Sequence, residues 1–129
     1  MPNVLLIQDE RSAMLTVQQV LSARGISCTC LDLEEFQPES LLSEAFDLII
    51  FEISGENRVC MVILQRLEMW SAVSGMEHPP VIVVTEKTSD TIETAIRTSK
   101  VNFYFVKPLA QDELAFAIEQ SLSPHASQL

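Results

Sequence analysis

Three features of the sequence predict an α/β fold with one parallel sheet. Short apolar runs recur along the chain at 4–7, 48–51, 81–84 and 103–106. Segments with the spacing of amphipathic helices lie between them. Each of the four runs ends at a polar residue, which suits parallel strands that bring their carboxyl ends to one edge of a sheet. Alternation of strand and helix predicts five strands in a doubly wound sheet with five helices on its two faces.

The first half of the chain has clear start and stop signals. A first helix is predicted to end at Gly25, a residue that readily closes a helix. Pro38 suits the start of a short second helix. The predicted elements here are strands at 3–8, 26–31 and 47–51, and helices at 11–24 and 38–46.

The second half repeats the pattern. Ser89 or Asp90 can cap the fourth helix, because a short polar side chain accepts a hydrogen bond from the first free backbone N–H groups. The predicted strands lie at 81–84 and 102–106. The predicted helices lie at 59–70 and 111–122, and a further helix begins after Ser89 or Asp90. We expect one domain over 1–122, with 123–129 as a tail or the start of a linker.

Composition excludes several classes of protein. Hydrophobic residues make up 47% of 129 residues, too many for a disordered chain. Apolar runs are far shorter than the ~20 residues that cross a bilayer, so no membrane span is expected. A net charge of -10 argues against a nucleic-acid surface. No basic and apolar leader precedes the first strand, so we expect a cytoplasmic protein with reduced cysteines.

Four segments carry a resemblance to a known family. They are Ile7–Glu10, Asp47–Glu52, Pro80–Thr85 and Tyr104–Leu109, in which Lys107-Pro108 follows the last strand. Together they resemble a response-regulator receiver domain (CheY-like), over residues 1 to about 122. The resemblance implies a flavodoxin-like sheet with strand order 2-1-3-4-5.

The resemblance also implies roles for individual residues. In the family, an aspartate at the end of the third strand takes a phosphoryl group in a phosphorelay, and acids after the first strand hold Mg²⁺. Carried over by position, Gln8, Asp9 and Glu10 form the acidic pocket, and Glu52 stands at the phosphoacceptor position. Thr85, Tyr104 and Lys107 match the switch hydroxyl, the switch aromatic and the lysine.

Two substitutions at this site predict a degenerate receiver, or pseudo-receiver. Glu52 replaces the phosphoacceptor aspartate, and Gln8 replaces the first acid. A carboxamide is a weaker Mg²⁺ ligand than a carboxylate. Asp9, Glu52 and the Ser54 carbonyl remain as ligands, so we expect weak or absent Mg²⁺ binding and no other cofactor.

Three functions remain open at this stage. The first is a non-enzymatic module in bacterial signal transduction that acts by protein–protein contact without aspartate phosphorylation. The second is a phosphorylation-competent two-component receiver with unusual site residues. The third is a flavodoxin-like cofactor-binding protein, which the acidic, glycine-free segment Gln8–Ser12 disfavours because such a segment repels phosphate.

A partner surface is also expected from the resemblance. In receivers, the fourth helix, fifth strand and fifth helix commonly form the output or dimer face. Here that face includes Ile96, Arg97, Lys100, Tyr104 and residues of 111–122. We expect it to contact a signalling protein or a second copy of the chain, in the latter case as a weak homodimer.

Overall fold

A computed structural model describes residues 2–9, 15–42, 44–53, 58–86 and 89–122. Its strands are β1 (Asn3–Gln8), β2 (Ser27–Asp32), β3 (Leu48–Ile53), β4 (Val81–Thr85) and β5 (Phe103–Val106). Its α-helices are α1 (Leu15–Ala23), α2 (Arg58–Ser74), α3 (Asp90–Thr98) and α4 (Gln111–Leu122). Residues 11–14 of the predicted first helix lie outside the described residues.

All five strands are parallel and run in the order β2-β1-β3-β4-β5. The predicted sheet and strand order are therefore confirmed. β1, β3 and β4 occupy the middle of the sheet and are built from continuous apolar runs, as expected for strands covered on both faces.

Two apolar layers cover the sheet. On one face, α1 and α4 pack against alternate strand residues such as Leu6 and Ile50. On the other face, α2 packs against Leu5, Ile49 and Phe51, and α3 adds Ile96 at the margin. Because a strand points successive side chains to opposite faces, neighbouring residues of one apolar run serve both layers.

The prediction of five α-helices is wrong for the described residues, which contain four. The segment predicted to be a helix over 38–46 is a 3₁₀ helix over Pro38–Leu42. Its backbone bonds join residues three apart, as in Ser40 N–H to Gln37 O at 3.0 Å. A segment this short gains little from α-helical propagation, so the tighter 3₁₀ turn is the usual outcome.

Glycine ends two of the helices. Gly25 follows α1 with φ 66°, and Gly75 follows α2 with φ 72°. Ile26 N–H donates to Leu21 O at 3.1 Å across the first of these turns. A left-handed residue at this position allows the chain to leave the helix while its last carbonyls stay bonded. The predicted stop at Gly25 is confirmed.

Candidate functional site

The carboxyl ends of β1, β3 and β4 meet at one edge of the sheet. Gln8 pairs with Glu52 in the β1–β3 register, and Ile53 pairs with Thr85 in the β3–β4 register. Lys107 follows β5 directly, and its backbone N–H donates to Thr85 O at 2.8 Å. The predicted strand-end residues are therefore neighbours because parallel register places them there.

Glu52 and Lys107 form an ion pair at the centre of this edge. Lys107 Nζ lies 2.9 Å from Glu52 Oε2. The Glu52 side chain is 0% exposed, whereas that of Lys107 is 20% exposed. The lysine thus reaches from the rim of the site to a carboxylate inside it.

Two opposing effects act on the pKa of Glu52. Burial raises it, because a charged carboxylate loses hydration, and the Lys107 ammonium lowers it. The negative charges of Glu86 and Asp9 add to the upward shift. Burial dominates, and the pKa of Glu52 lies above its ordinary value.

Thr85 and Tyr104 are linked beside this pair. Thr85 is fully buried at the end of β4. Tyr104 is half-buried against the core under α2, and its hydroxyl lies 3.4 Å from Thr85 Oγ1. The aromatic ring therefore lies inward, and its hydroxyl is close to the strand-end hydroxyl of Thr85.

The acidic pocket is only partly described. Asp9 is 8% exposed and lies near enough to influence the charge of Glu52. The amide nitrogen of Gln8 is buried, and no acceptor among the described residues bonds it. The predicted sites Glu10 and Ser54 lie outside the described residues.

The predicted magnesium ligands are only partly among the described residues. The described residues contain no group of three or more acidic, histidine or cysteine side chains that could hold a metal ion. Of the predicted ligands, Glu52 already faces the Lys107 ammonium, and the adjacent Gln8 presents a neutral amide. A divalent cation at Glu52 would have to compete with that ammonium.

The sequence analysis missed one residue of this edge, Glu86, and a separate cluster near the amino ends of β4 and β5. Glu86 directly follows Thr85, and its position after a strand was the available signal. A second cluster joins Glu68, His78 and the Lys100 backbone. His78 Nε2 lies 3.0 Å from Glu68 Oε1, which also accepts from Lys100 N–H at 2.7 Å. No local pattern in the sequence brings these three together.

Comparisons with solved structures place the fold among receiver domains. The chain resembles the chemotaxis protein CheY4 of Vibrio cholerae, with 20% identity, a TM-score of 0.70, and coverage of 95% of this chain and 99% of that one. A CheY-like receiver domain from Methanospirillum hungatei matches with 20% identity, a TM-score of 0.67, and coverage of 100% of both chains. A two-component response regulator from Clostridium difficile matches with 21% identity, a TM-score of 0.66, and coverage of 97% and 98%.

No family model and no curated protein matches the sequence. The structural likeness establishes a CheY-like, flavodoxin-like fold over the chain. No helix among the described residues is long and apolar enough to span a membrane.

Proposed function

We propose that this chain is an atypical receiver module of a bacterial signalling pathway that acts through protein–protein contacts, without aspartate phosphorylation and without an enzymatic activity of its own. The observation that carries the proposal is the Glu52–Lys107 pair, 2.9 Å apart at the position of the phosphoacceptor. In receivers, the lysine at this position neutralises the phosphoryl group. Here a buried carboxylate already faces it.

The side chain at position 52 is also poorly suited to phosphoryl transfer. Glutamate is one methylene longer than aspartate, so its carboxylate reaches about 1.5 Å further into the site. Attack on phosphorus requires close alignment, and a misplacement of about 1 Å can lower the rate on the order of 10²-fold. The neutral Gln8 further weakens the pocket that would hold Mg²⁺.

The function expected for such a module is to present a surface. The fourth predicted helix, β5 and the last helix form the expected contact face, which now corresponds to α3, β5 and α4. Phe116 on α4 is 57% exposed and supports an apolar contact there. Arg97 is exposed on α3, where its guanidinium lies 3.7 Å from Glu93.

The test is intact mass after incubation with acetyl phosphate and Mg²⁺. We expect no added phosphoryl group on the wild-type chain. The matched variant carries Gln8→Asp and Glu52→Asp, which place an aspartate at both positions. It should gain one phosphoryl group and bind Mg²⁺ more tightly. Phosphorylation of the wild-type chain at Glu52 or Asp9 would instead support the phosphorylation-competent receiver.

A further inference from the structure

The longest helix carries apolar residues on its solvent face. Val59, Val62, Met69 and Val73 on α2 are 39%, 45%, 68% and 84% exposed. Its inner face is separately filled by Cys60, Ile63, Leu64 and Leu67, which belong to the core. The outer set therefore exposes apolar surface that the core does not use. Exposed apolar patches rimmed by polar residues commonly mark interaction sites.

The outer residues have the spacing of a helix-pairing seam. Positions 59, 62, 66, 69 and 73 alternate steps of three and four, and Arg66 occupies the middle position. This is the period at which two helices interlock side chains. At 1.5 Å per residue the stripe is about 21 Å long, enough to contact four turns of a second helix.

A groove deepens one side of this stripe. Between α2 and the 3₁₀ helix, a cavity of about 400 Å³ is lined by Pro38, Glu39, Arg66, Met69, Trp70 and Val73, among others. Trp70 is half-buried at its inner wall and packs against the core. Large side chains of an incoming helix could therefore be enclosed on two sides.

The charge of Arg66 identifies the occupant. Arg66 forms no ion pair within the described part of the chain, although the sequence holds 18 acidic residues. It stands midway between Val59 and Val73, so symmetric pairing of two copies along the stripe, parallel or antiparallel, would set Arg66 against Arg66. Like charges at the centre of an interface disfavour self-association.

We propose that the outer face of α2 binds an amphipathic helix of a different protein, with apolar residues at three-four spacing and a central Glu or Asp that meets Arg66. This proposal rests on the proposed function only in that both assign a binding role to the chain. The mass measurement above tests phosphorylation, whereas the experiment below tests this surface, so the two can fail separately.

The probe is a synthetic, fluorophore-labelled helical peptide of about 18 residues, long enough to cover the stripe. It carries Leu at three-four spacing and Glu at its centre, and a twin peptide carries Lys there. Fluorescence anisotropy titration should show that the wild-type chain prefers the Glu peptide by about tenfold. This preference opposes the net charge of -10, which by itself would favour the Lys peptide.

Three variants sharpen the test. Arg66→Glu should reverse the peptide preference, and Val73→Glu should abolish binding of both peptides. Val73 is 84% exposed, so its substitution should leave the fold intact, which circular dichroism checks. The control is Ala23→Glu, which adds the same charge at an exposed apolar residue of α1, on the other face of the sheet, and it should bind like wild type.

Several results would overturn the proposal. These are no binding to either peptide, equal binding to both, or loss of binding in Ala23→Glu with retention in Val73→Glu. Concentration-dependent dimerisation in sedimentation, abolished by Val73→Glu, would instead make a second copy the occupant.

Discussion

At the scale of single residues, the Glu52–Lys107 ion pair is the contact on which the proposed function rests. The pair is positioned by the parallel sheet, because Glu52 is the penultimate residue of β3 and Lys107 directly follows β5. Glu52 has no exposed surface, so its charge depends on Lys107 for compensation. Breaking a buried pair on one side leaves a lone charge, which is more damaging than removing both partners.

We expect Lys107→Met to lower the free energy of unfolding by about 1–3 kcal/mol at neutral pH. Glu52→Gln should also lower this free energy. The double variant should lose much less stability than the sum of the two single losses. Urea denaturation of the four proteins measures the coupling. Lys100→Met, at an exposed lysine, is the control and should change the value by less than about 0.5 kcal/mol. Strictly additive losses would mean that the pair does not couple.

The effect of Lys107→Met on stability should depend on pH. Because the pKa of Glu52 is raised in the fold, the folded chain holds this proton more tightly than the unfolded chain. Its contribution to stability is complete below the ordinary value of 4.5 and is lost as the pH rises through the raised pKa. Lys107→Met raises that pKa further, so its deficit should be largest at neutral pH and shrink toward pH 4.5. A deficit that does not change with pH would count against a charged Glu52.

The strand-end residues were predictable from sequence because parallel strands leave little freedom at their carboxyl ends. Gln8, Asp9, Glu52, Thr85 and Lys107 all follow or end an apolar run. The distances were not predictable, since they depend on side-chain rotamers. No prediction of Tyr104 touching Thr85 could come from spacing alone.

At the scale of elements, α2 shows where sequence periodicity fails. The predicted helix stopped at 70, whereas the structure continues it to Ser74. Val73 points to solvent and does not fit the spacing of the inward-facing residues. A prediction based on those residues therefore ends the helix too early. The physical end is Gly75, whose N–H donates to Ser71 O at 3.1 Å. Val73, which lies beyond the predicted end, belongs to the proposed helix-binding stripe.

The Glu68 cluster ties three elements together. Glu68 on α2 contacts His78, which precedes β4, and accepts from the Lys100 backbone after α3. Burial raises the pKa of Glu68, but the Lys100 N–H and His78 outweigh it, and the pKa lies below its ordinary value. The contacts join residues distant in sequence, so only the assembled fold reveals them.

Glu68→Gln should therefore destabilise the protein by about 1 kcal/mol at neutral pH. A lowered pKa means that the stabilisation is complete above the ordinary value of 4.5 and is lost as the pH falls through the lowered pKa. The difference between wild type and variant, measured by urea denaturation, should follow that course. Glu119→Gln, which removes the exposed pair with Arg24, is the matched control and should change stability by less than about 0.5 kcal/mol. A Glu68→Gln difference that persists into strong acid would assign the effect to packing.

At the scale of the whole molecule, the fold says less about function than the side chains of the site do. An open parallel sheet was predictable, because strands alternating with helices restrict the topology, and the resemblance in four strand-end segments supplied its strand order. Whether the strand-end edge takes part in phosphoryl transfer depends on two side chains, Gln8 and Glu52. Both lie within an intact parallel sheet. The fold therefore supports a receiver-like scaffold, and the proposed function rests on the site.

The most direct test of the account is whether the site has one state. Two-dimensional amide spectra of the wild-type chain are compared with and without beryllofluoride, a phosphoryl analogue, in the presence of Mg²⁺. We expect no change in the signals of Thr85, Tyr104 and Lys107, whereas the variant with Gln8→Asp and Glu52→Asp should respond. Saturable shifts of those three signals in the wild-type chain would contradict the claim that the Glu52–Lys107 pair takes the place of phosphorylation.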